Sequence, residues 1–187
     1  MITKIISGGQ TGADRGGLDA AIHCEMSHGG WCPRGRKAED GVIPVEYHLT
    51  EMASPEYLPR TKANVFDSDA TLIFTHGPLT GGSLKTVSYA HYLEKPYHKV
   101  DLLRTTHRQA VEEIVRWLAG EAELNDYDEY VACPPLACIL NMAGSGESHA
   151  PGTQNAVFCL LVDVLIKANL PSKHFHRLGE ARKAKGN

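Results

Sequence analysis

Short apolar runs alternate along the chain with longer stretches in which apolar residues recur every three or four positions. The run ITKIIS, residues 2–7, predicts a strand. From Thr11 to Met26 the period changes to that of a helix, with Leu18, Ala21, Ile22 and Glu25 on one side. HGGWCP (28–33) reads as a weaker strand, and the polar, turn-rich PRGRKAEDGVIP that follows as a loop. A short helix is expected over 60–68, after which ATLIFT (70–75) has the near-continuous apolar character of a strand buried on both faces. The helical pattern returns over 82–94, and Pro96 stops it. A short strand near 97–102, a helix over 106–119, the acidic loop GEAELNDYDEY, a last strand over 136–142 and a strongly apolar helix over 153–168 complete the series. No repeat or low-complexity linker interrupts it.

Strands alternating with helices imply a single doubly wound, Rossmann-like α/β domain, a parallel sheet with helices on both faces. Ligands in such sheets bind beyond the carboxyl ends of the strands. Three glycine-bearing segments each follow a strand here, SGGQTG, HGPLTGGS and AGSGESHAPG, so all three fall on that edge. CPRGRK, after the second strand, brings Arg34, Arg36 and Lys37 there too. A helix N-terminus offers unpaired N–H groups and the positive end of the helix dipole, and glycine lets an anion come close to them. Each loop taken singly is equally well a tight strand-to-helix turn; three on one edge favour an anion site. Gln10, Thr11, Arg15, Arg34 and Arg36 are candidate contacts on this local argument. Gly16 and Gly17 lie inside a helix, where glycine costs about 0.5–1 kcal/mol relative to alanine, so close contact with a ligand, a strand or a partner chain is expected of them.

Composition narrows the picture. The chain has 187 residues, 42% of them hydrophobic, and a formal net charge of -3, which gives one core and no basic field for nucleic acid. Residues 1–170 are expected to form one domain and 171–187 a basic tail. No apolar run reaches signal-peptide or membrane-helix length, so no membrane association and a cytoplasmic location are expected. Five cysteines at irregular spacing predict reduced thiols rather than a disulfide framework. The last helix is apolar around most of its circumference, which predicts either a homodimer or a helix buried within one protomer.

Several familiar motifs fail on inspection. HGPLTGGSLKT lacks the Gly-Lys-Ser/Thr of a P-loop, because Ser83 and Leu84 separate Gly82 from Lys85. GSGESH has His149 where a dinucleotide fingerprint needs its third glycine. His23, Glu25, Cys133 and Cys138 imitate a zinc deaminase, but the cysteines are too far apart. The histidines include no pair with convincing ligand spacing, and His174 and His176 lie in the tail, so no protein-bound metal is expected.

SGGQTGADRGGLDAA, CPRGRKAEDGVIP, RTKANVFDSDATLIF, GGSLKT and LNMAGSGESHAPG together resemble the family named putative molybdenum carrier proteins, circularly permuted YpsA-like members of the SLOG (lysine decarboxylase-like) nucleotide-binding superfamily. The resemblance spans about residues 2–168, with the five motifs in the family's order. It implies a Rossmann-like fold and a phosphorylated small-molecule ligand, molybdenum cofactor or a nucleotide. In unpermuted relatives a strand ending in a Gly-Ser turn comes first; here LNMAGSG comes last, so its strand is expected in the centre of the sheet between ITKIIS and ATLIFT. Carried over residue by residue, Gly8, Gly9, Gly12, Gly81, Gly82, Ser83, Gly144 and Ser145 would contact the ligand.

The nucleotide-cleaving members of the superfamily carry a glutamate just after a PGG-x-GT segment and an arginine on the preceding helix. GPLTGGSLKTVSYA has no glutamate and no Gly-Thr pair, although Arg60 could stand in for the arginine. Asp14, Glu39 and Asp40 lie on other loops, where each reads as a solvated or capping carboxylate rather than a catalyst. The sequence therefore predicts a carrier or sensor with no catalytic residue, with a phosphoribohydrolase-like nucleotide hydrolase and a non-catalytic scaffold as the alternatives.

Overall fold

The computed structural model describes residues 1–120 and 138–169. Five parallel strands form the central sheet: β1 (Lys4–Ser7), β2 (Ser27–Gly29), β7 (Ala70–Thr75), β8 (Tyr97–Asp101) and β9 (Ile139–Gly144). Their spatial order is β2-β1-β9-β7-β8. The last strand in sequence is thus the middle strand in space, paired to β1 from Lys4↔Ile139 to Ser7↔Met142 and to β7 from Ala70↔Leu140 to Phe74↔Gly144. This is the order expected of the permuted chain. The strand begins at Ile139; the part of the expected 136–142 run before residue 138 lies outside the described residues, as do the acidic loop beyond residue 120 and the basic tail.

Helices cover both faces: α1 (Ala13–His23), α4 (His107–Leu118) and α5 (Thr153–Asn169) on one, α2 (Tyr57–Asp67) and α3 (Gly81–Tyr92) on the other. The alternation of side chains along a strand explains the split. Ile5, Leu72, Phe74, Leu140 and Met142 join the core with α1, α4 and α5, whereas Ile73 and Ala143 pack with Val87 of α3. Helix α4 starts one residue after the expected Thr106, because that threonine is the N-cap of a capping box with Gln109.

Helix α1 departs most from its sequence pattern. Leu18 and Ala21 are buried, but Ile22 is exposed and Glu25 lies beyond the helix in a left-handed conformation. The helix is enclosed on several sides rather than along one stripe. A Cβ on Gly16 would come within 2.5 Å of the Gln154 carbonyl oxygen on α5, and one on Gly17 within 2.5 Å of Met142 Cγ on β9. The two glycines thus serve close packing with a helix and a strand.

The stretch expected to be a weak strand and then a loop is more ordered than its polarity suggests. It holds β3 (Trp31–Cys32), a hairpin of β4 (Lys37–Ala38) and β5 (Gly41–Val42), and β6 (Thr50–Glu51), which pairs with β3. Leu18 of α1 packs there with Cys32, Ala38, Ile43, Tyr47 and Leu49 in a second small core. This cap lies over the start of α1.

Candidate functional site

Residues 8–12 carry the chain from β1 into α1, and most of their amides are used internally. Gly9 N donates to Ser7 Oγ at 3.1 Å, Gln10 N to Asp14 Oδ2 at 3.2 Å and Thr11 N to Gln10 Oε1 at 3.0 Å. Ala13 N, on the first residue of α1, donates to the Ser145 carbonyl at 3.0 Å. Gly12, with φ 77°, is the N-cap, and a Cβ there would collide with that same carbonyl. The loop after β9 is therefore laid against the loop after β1, while Ser145 N donates to the Phe74 carbonyl of β7 at 2.9 Å. The sheet brings Gly8, Gly9, Gln10, Thr11, Gly12, Gly144 and Ser145 together, largely through bonds among themselves.

The arginines divide by role. Arg15 is buried, donates Nε to the Gly9 carbonyl at 3.1 Å and holds Asp40 through both Nη atoms, at 2.5 and 2.8 Å. Arg36 spreads its guanidinium over four carbonyls, those of Ile43, Leu49, Pro44 and Tyr47, at 2.7–3.2 Å. A guanidinium is suited to such a fork of planar donors, and here it ties the cap's own backbone together. Arg34 has an exposed side chain, and its amide donates to the Ser54 carbonyl at 2.9 Å.

Glu39 closes the cap over the edge. Its carboxylate accepts from Thr11 Oγ1, Ser148 N and Ser148 Oγ. Burial works against its ionisation, but the hydrogen bonds from Ser148 and Thr11 outweigh it and hold the carboxyl below its ordinary value. Arg15 likewise holds the Asp40 carboxyl low by hydrogen bonding. Both carboxylates are structural ties between loops.

The start of α3 is different. Thr80 makes no side-chain cap bond, and among the described residues no acceptor is found for the amides of Gly81, Gly82 and Ser83. Among the described residues outside its own turn, nothing lies within 4 Å of where a Cβ on Gly81 or Gly82 would stand. Asp101 at the end of β8 fixes the approach to this turn, accepting Gly77 N at 2.9 Å.

Of the six buried side-chain atoms without a partner among the described residues, three lie at this edge. They are Thr75 Oγ1 and His76 Nδ1, where β7 ends, and Arg60 Nε, whose guanidinium lies over Gly8. Arg60 Nη1 donates to Asp14 Oδ2 at 3.1 Å, and its guanidinium lies 5.9 Å from the Tyr57 ring centroid, a ring that Lys37 Nζ also approaches at 5.4 Å. Asp14, expected as a solvated or capping group, caps the Gln10 amide but is only 4% exposed. Burial pushes its carboxyl above the ordinary value, against the pull of Arg60 and the amides of Gln10 and Gly8. The Asp14–Arg60 pair joins positions 46 apart in the chain, and nothing in their local patterns announces it.

No group of three or more metal-ligating side chains occurs among the described residues, and none of their helices is long and apolar enough to cross a membrane.

Compared with known proteins, residues 5–165 match the model of the circularly permutated YpsA SLOG family. The chain is similar to a solved structure, the "Putative molybdenum carrier protein" of Syntrophus aciditrophicus SB, with 41% identity, a TM-score of 0.77, and coverage of 88% of this chain and 95% of that one. Comparison with curated proteins gives no match.

Proposed function

We propose, for a chain that belongs to the circularly permutated YpsA SLOG family, that it is a non-catalytic carrier of a phosphorylated small molecule, molybdenum cofactor being the leading cargo and a nucleotide the other. The observation that carries the reading is the open first turn of α3. Among the described residues three successive amides lack an acceptor there, at the carboxyl edge of a parallel sheet on which buried polar atoms of Thr75, His76 and Arg60 also lack a partner. A phosphate on Gly81, Gly82 and Ser83 would satisfy those amides with the helix dipole aligned in its favour. The glycine loop at residues 8–12 and the Gly144–Ser145 turn form the floor. Arg34, whose side chain is exposed, is assigned to the rest of the ligand in this reading. The name borne by the solved relative supports molybdenum cofactor as the cargo.

Calorimetric titration of adenosine 5′-monophosphate and of molybdopterin into the protein and its Gly82→Val variant tests the reading. Open space surrounds this position, so the variant folds while its side chain obstructs the amides. Equal affinity in both proteins overturns the assignment.

A second reading, nucleotide cleavage, is favoured by Asp14, a buried carboxyl with a raised pKa held against Arg60. Release of free base from a nucleoside monophosphate, abolished in Asp14→Asn, would establish it over the carrier. The same proposal takes the protein as cytoplasmic and homodimeric. Helix α5 buries most of its apolar residues against α1 and α4, leaving Ile166 exposed. A dimer is better served by the packed pair α2 and α3, whose outer surface carries Leu58, Phe66, Leu84 and Tyr92, all exposed.

A further inference from the structure

We propose that Glu147 sets the class of ligand this edge accepts, a phosphate monoester, because its own carboxylate fills the place where the second phosphate of a diphosphate or dinucleotide would lie. This rests on the carrier reading above and narrows it to ligands with a single phosphate.

Two helices start where the adjacent strands β9 and β7 end. β9 leads into α5 on one face of the sheet, and β7 into α3 on the other. A crevice opens at such a divergence, and in dinucleotide-binding sheets the pyrophosphate lies there at the start of the helix that follows the central strand. The two helix starts differ here. At α3 the amides of Gly81, Gly82 and Ser83 find no acceptor among the described residues, and Thr75 Oγ1, on the face that Ile73 turns to α3, is buried without a partner. At α5 three successive amides are all taken. Glu147 Oε1 accepts Gly152 N at 2.5 Å, Oε2 accepts Gln154 N at 2.9 Å, and Thr153 N between them donates to the Ala150 carbonyl at 3.2 Å.

A carboxylate bridging two amides at the positive end of a helix makes the bonds that two phosphate oxygens would otherwise make there. It is held in place by the first glycine loop. Glu147 N donates to Thr11 Oγ1 at 3.1 Å, and Gly12 leaves room for that amide, which a Cβ would approach to 2.9 Å. Two further carboxylates stand on the same segment: Asp19 accepts Gln154 Nε2 at 2.8 Å as well as the Tyr47 hydroxyl at 2.7 Å, and Glu39 accepts Ser148 N and Oγ. A second phosphate reaching across from α3 would therefore meet fixed negative charge in place of open amides, and like charges set against each other in an interface repel strongly. A monoester bound at α3 leaves the α5 side of the crevice to its uncharged remainder.

Inorganic phosphate and inorganic pyrophosphate are the probes, titrated calorimetrically into the full chain and its Glu147→Gln, Glu147→Ala and Gly82→Val variants. The unaltered protein is expected to bind phosphate at least as tightly as pyrophosphate. In the Glu147 variants the affinity for pyrophosphate relative to phosphate is expected to rise by about tenfold or more, since a fixed like charge is gone and helix amides are freed. Glutamine keeps the volume and can still accept one amide, so Glu147→Gln carries the test where Glu147→Ala fails to fold. Loss of a helix cap alone would lower the melting temperature and leave the ratio of the two affinities where it was. Pyrophosphate bound more tightly than phosphate by the unaltered protein, or an unchanged ratio in folded Glu147→Gln, overturns the role of Glu147 while the carrier reading stands. Phosphate binding that is absent from the unaltered protein, or undiminished in Gly82→Val, overturns the carrier reading and this proposal with it.

Discussion

Asn64 grips Trp31 by both of its backbone groups: Trp31 N donates to Asn64 Oδ1 at 2.8 Å, and Asn64 Nδ2 donates to the Trp31 carbonyl at 3.0 Å. One side chain on α2 thereby stands in for a neighbouring strand where the chain leaves the main sheet after β2. Asn64→Leu keeps the volume but strands a buried donor and acceptor, and is expected to destabilise the protein by about 2–4 kcal/mol. Urea unfolding measures this, and a loss below about 1 kcal/mol would show the grip to be dispensable.

Gly9→Val and Gly82→Val should behave oppositely. A Cβ on Gly9, with φ 72°, would run into Leu49 and crowd Ile43. Valine there is expected to destabilise the fold by roughly 2–4 kcal/mol, through strain and overpacking between the first loop and the cap. Gly82→Val is expected to retain its melting temperature within a few degrees and to lose anion binding. Circular dichroism melts beside calorimetry separate the two; a stable Gly9→Val protein would contradict the packing described for the loop.

Arg36→Ala is expected to weaken the fold by about 3 kcal/mol, since four carbonyls lose charged donors. In the fraction that remains folded, anion affinity should be unchanged. A folded variant with affinity reduced tenfold or more would move Arg36 from the framework to the ligand.

His98 sets an acid limit on stability. Its ring stacks on Trp117 with centroids 5.4 Å apart, neither ring nitrogen has a hydrogen-bond partner among the described residues, and burial lowers its pKa from 6.5 to about 4. The folded state holds the neutral ring, so its contribution is fully present above pH 6.5 and is lost as pH falls toward 4. The loss approaches about 3 kcal/mol at the acid end, because each tenfold weakening of proton affinity on folding is worth about 1.4 kcal/mol. His98→Phe keeps the stack and removes the titration, so its denaturation midpoint should vary less between about pH 7 and about pH 4 than that of the unaltered protein. Parallel curves for the two proteins would exclude His98 as the source.

The strands of the sheet were readable where apolar runs were long, as in ATLIFT, and the place of the last strand came from matching LNMAGSG to the start of unpermuted relatives. The cap was not readable. Its strands are two residues each, too short for any alternation to show, and their burial comes from Leu18 across the chain. The glycines of GGQTGADRGG were legible as close approaches, but not what approaches them: Arg60, Leu49, Ser145, Gln154 and Met142 all lie far along the chain. For the same reason the sequence offered Arg15 and Arg36 as ligand contacts without any sign that Asp40 and the cap carbonyls already engage them. Positive charge is visible in one dimension; what neutralises it is a property of three.

The place of β9 also governs the order in which the molecule can be built. During synthesis β1 and β7 emerge early, yet neither has its central neighbour until the chain has been extended through Gly144. Pairing Ser7 with Met142 closes a loop that spans most of the chain, an entropic toll that no local hairpin shares. Each half-sheet, β2 with β1 and β7 with β8, meanwhile presents a bare inner edge of unpaired backbone groups. A nascent chain halted before residue 139 would have both edges of the future crevice exposed and the strand that joins them still unmade, so the sheet stays divided until β9 itself has been delivered.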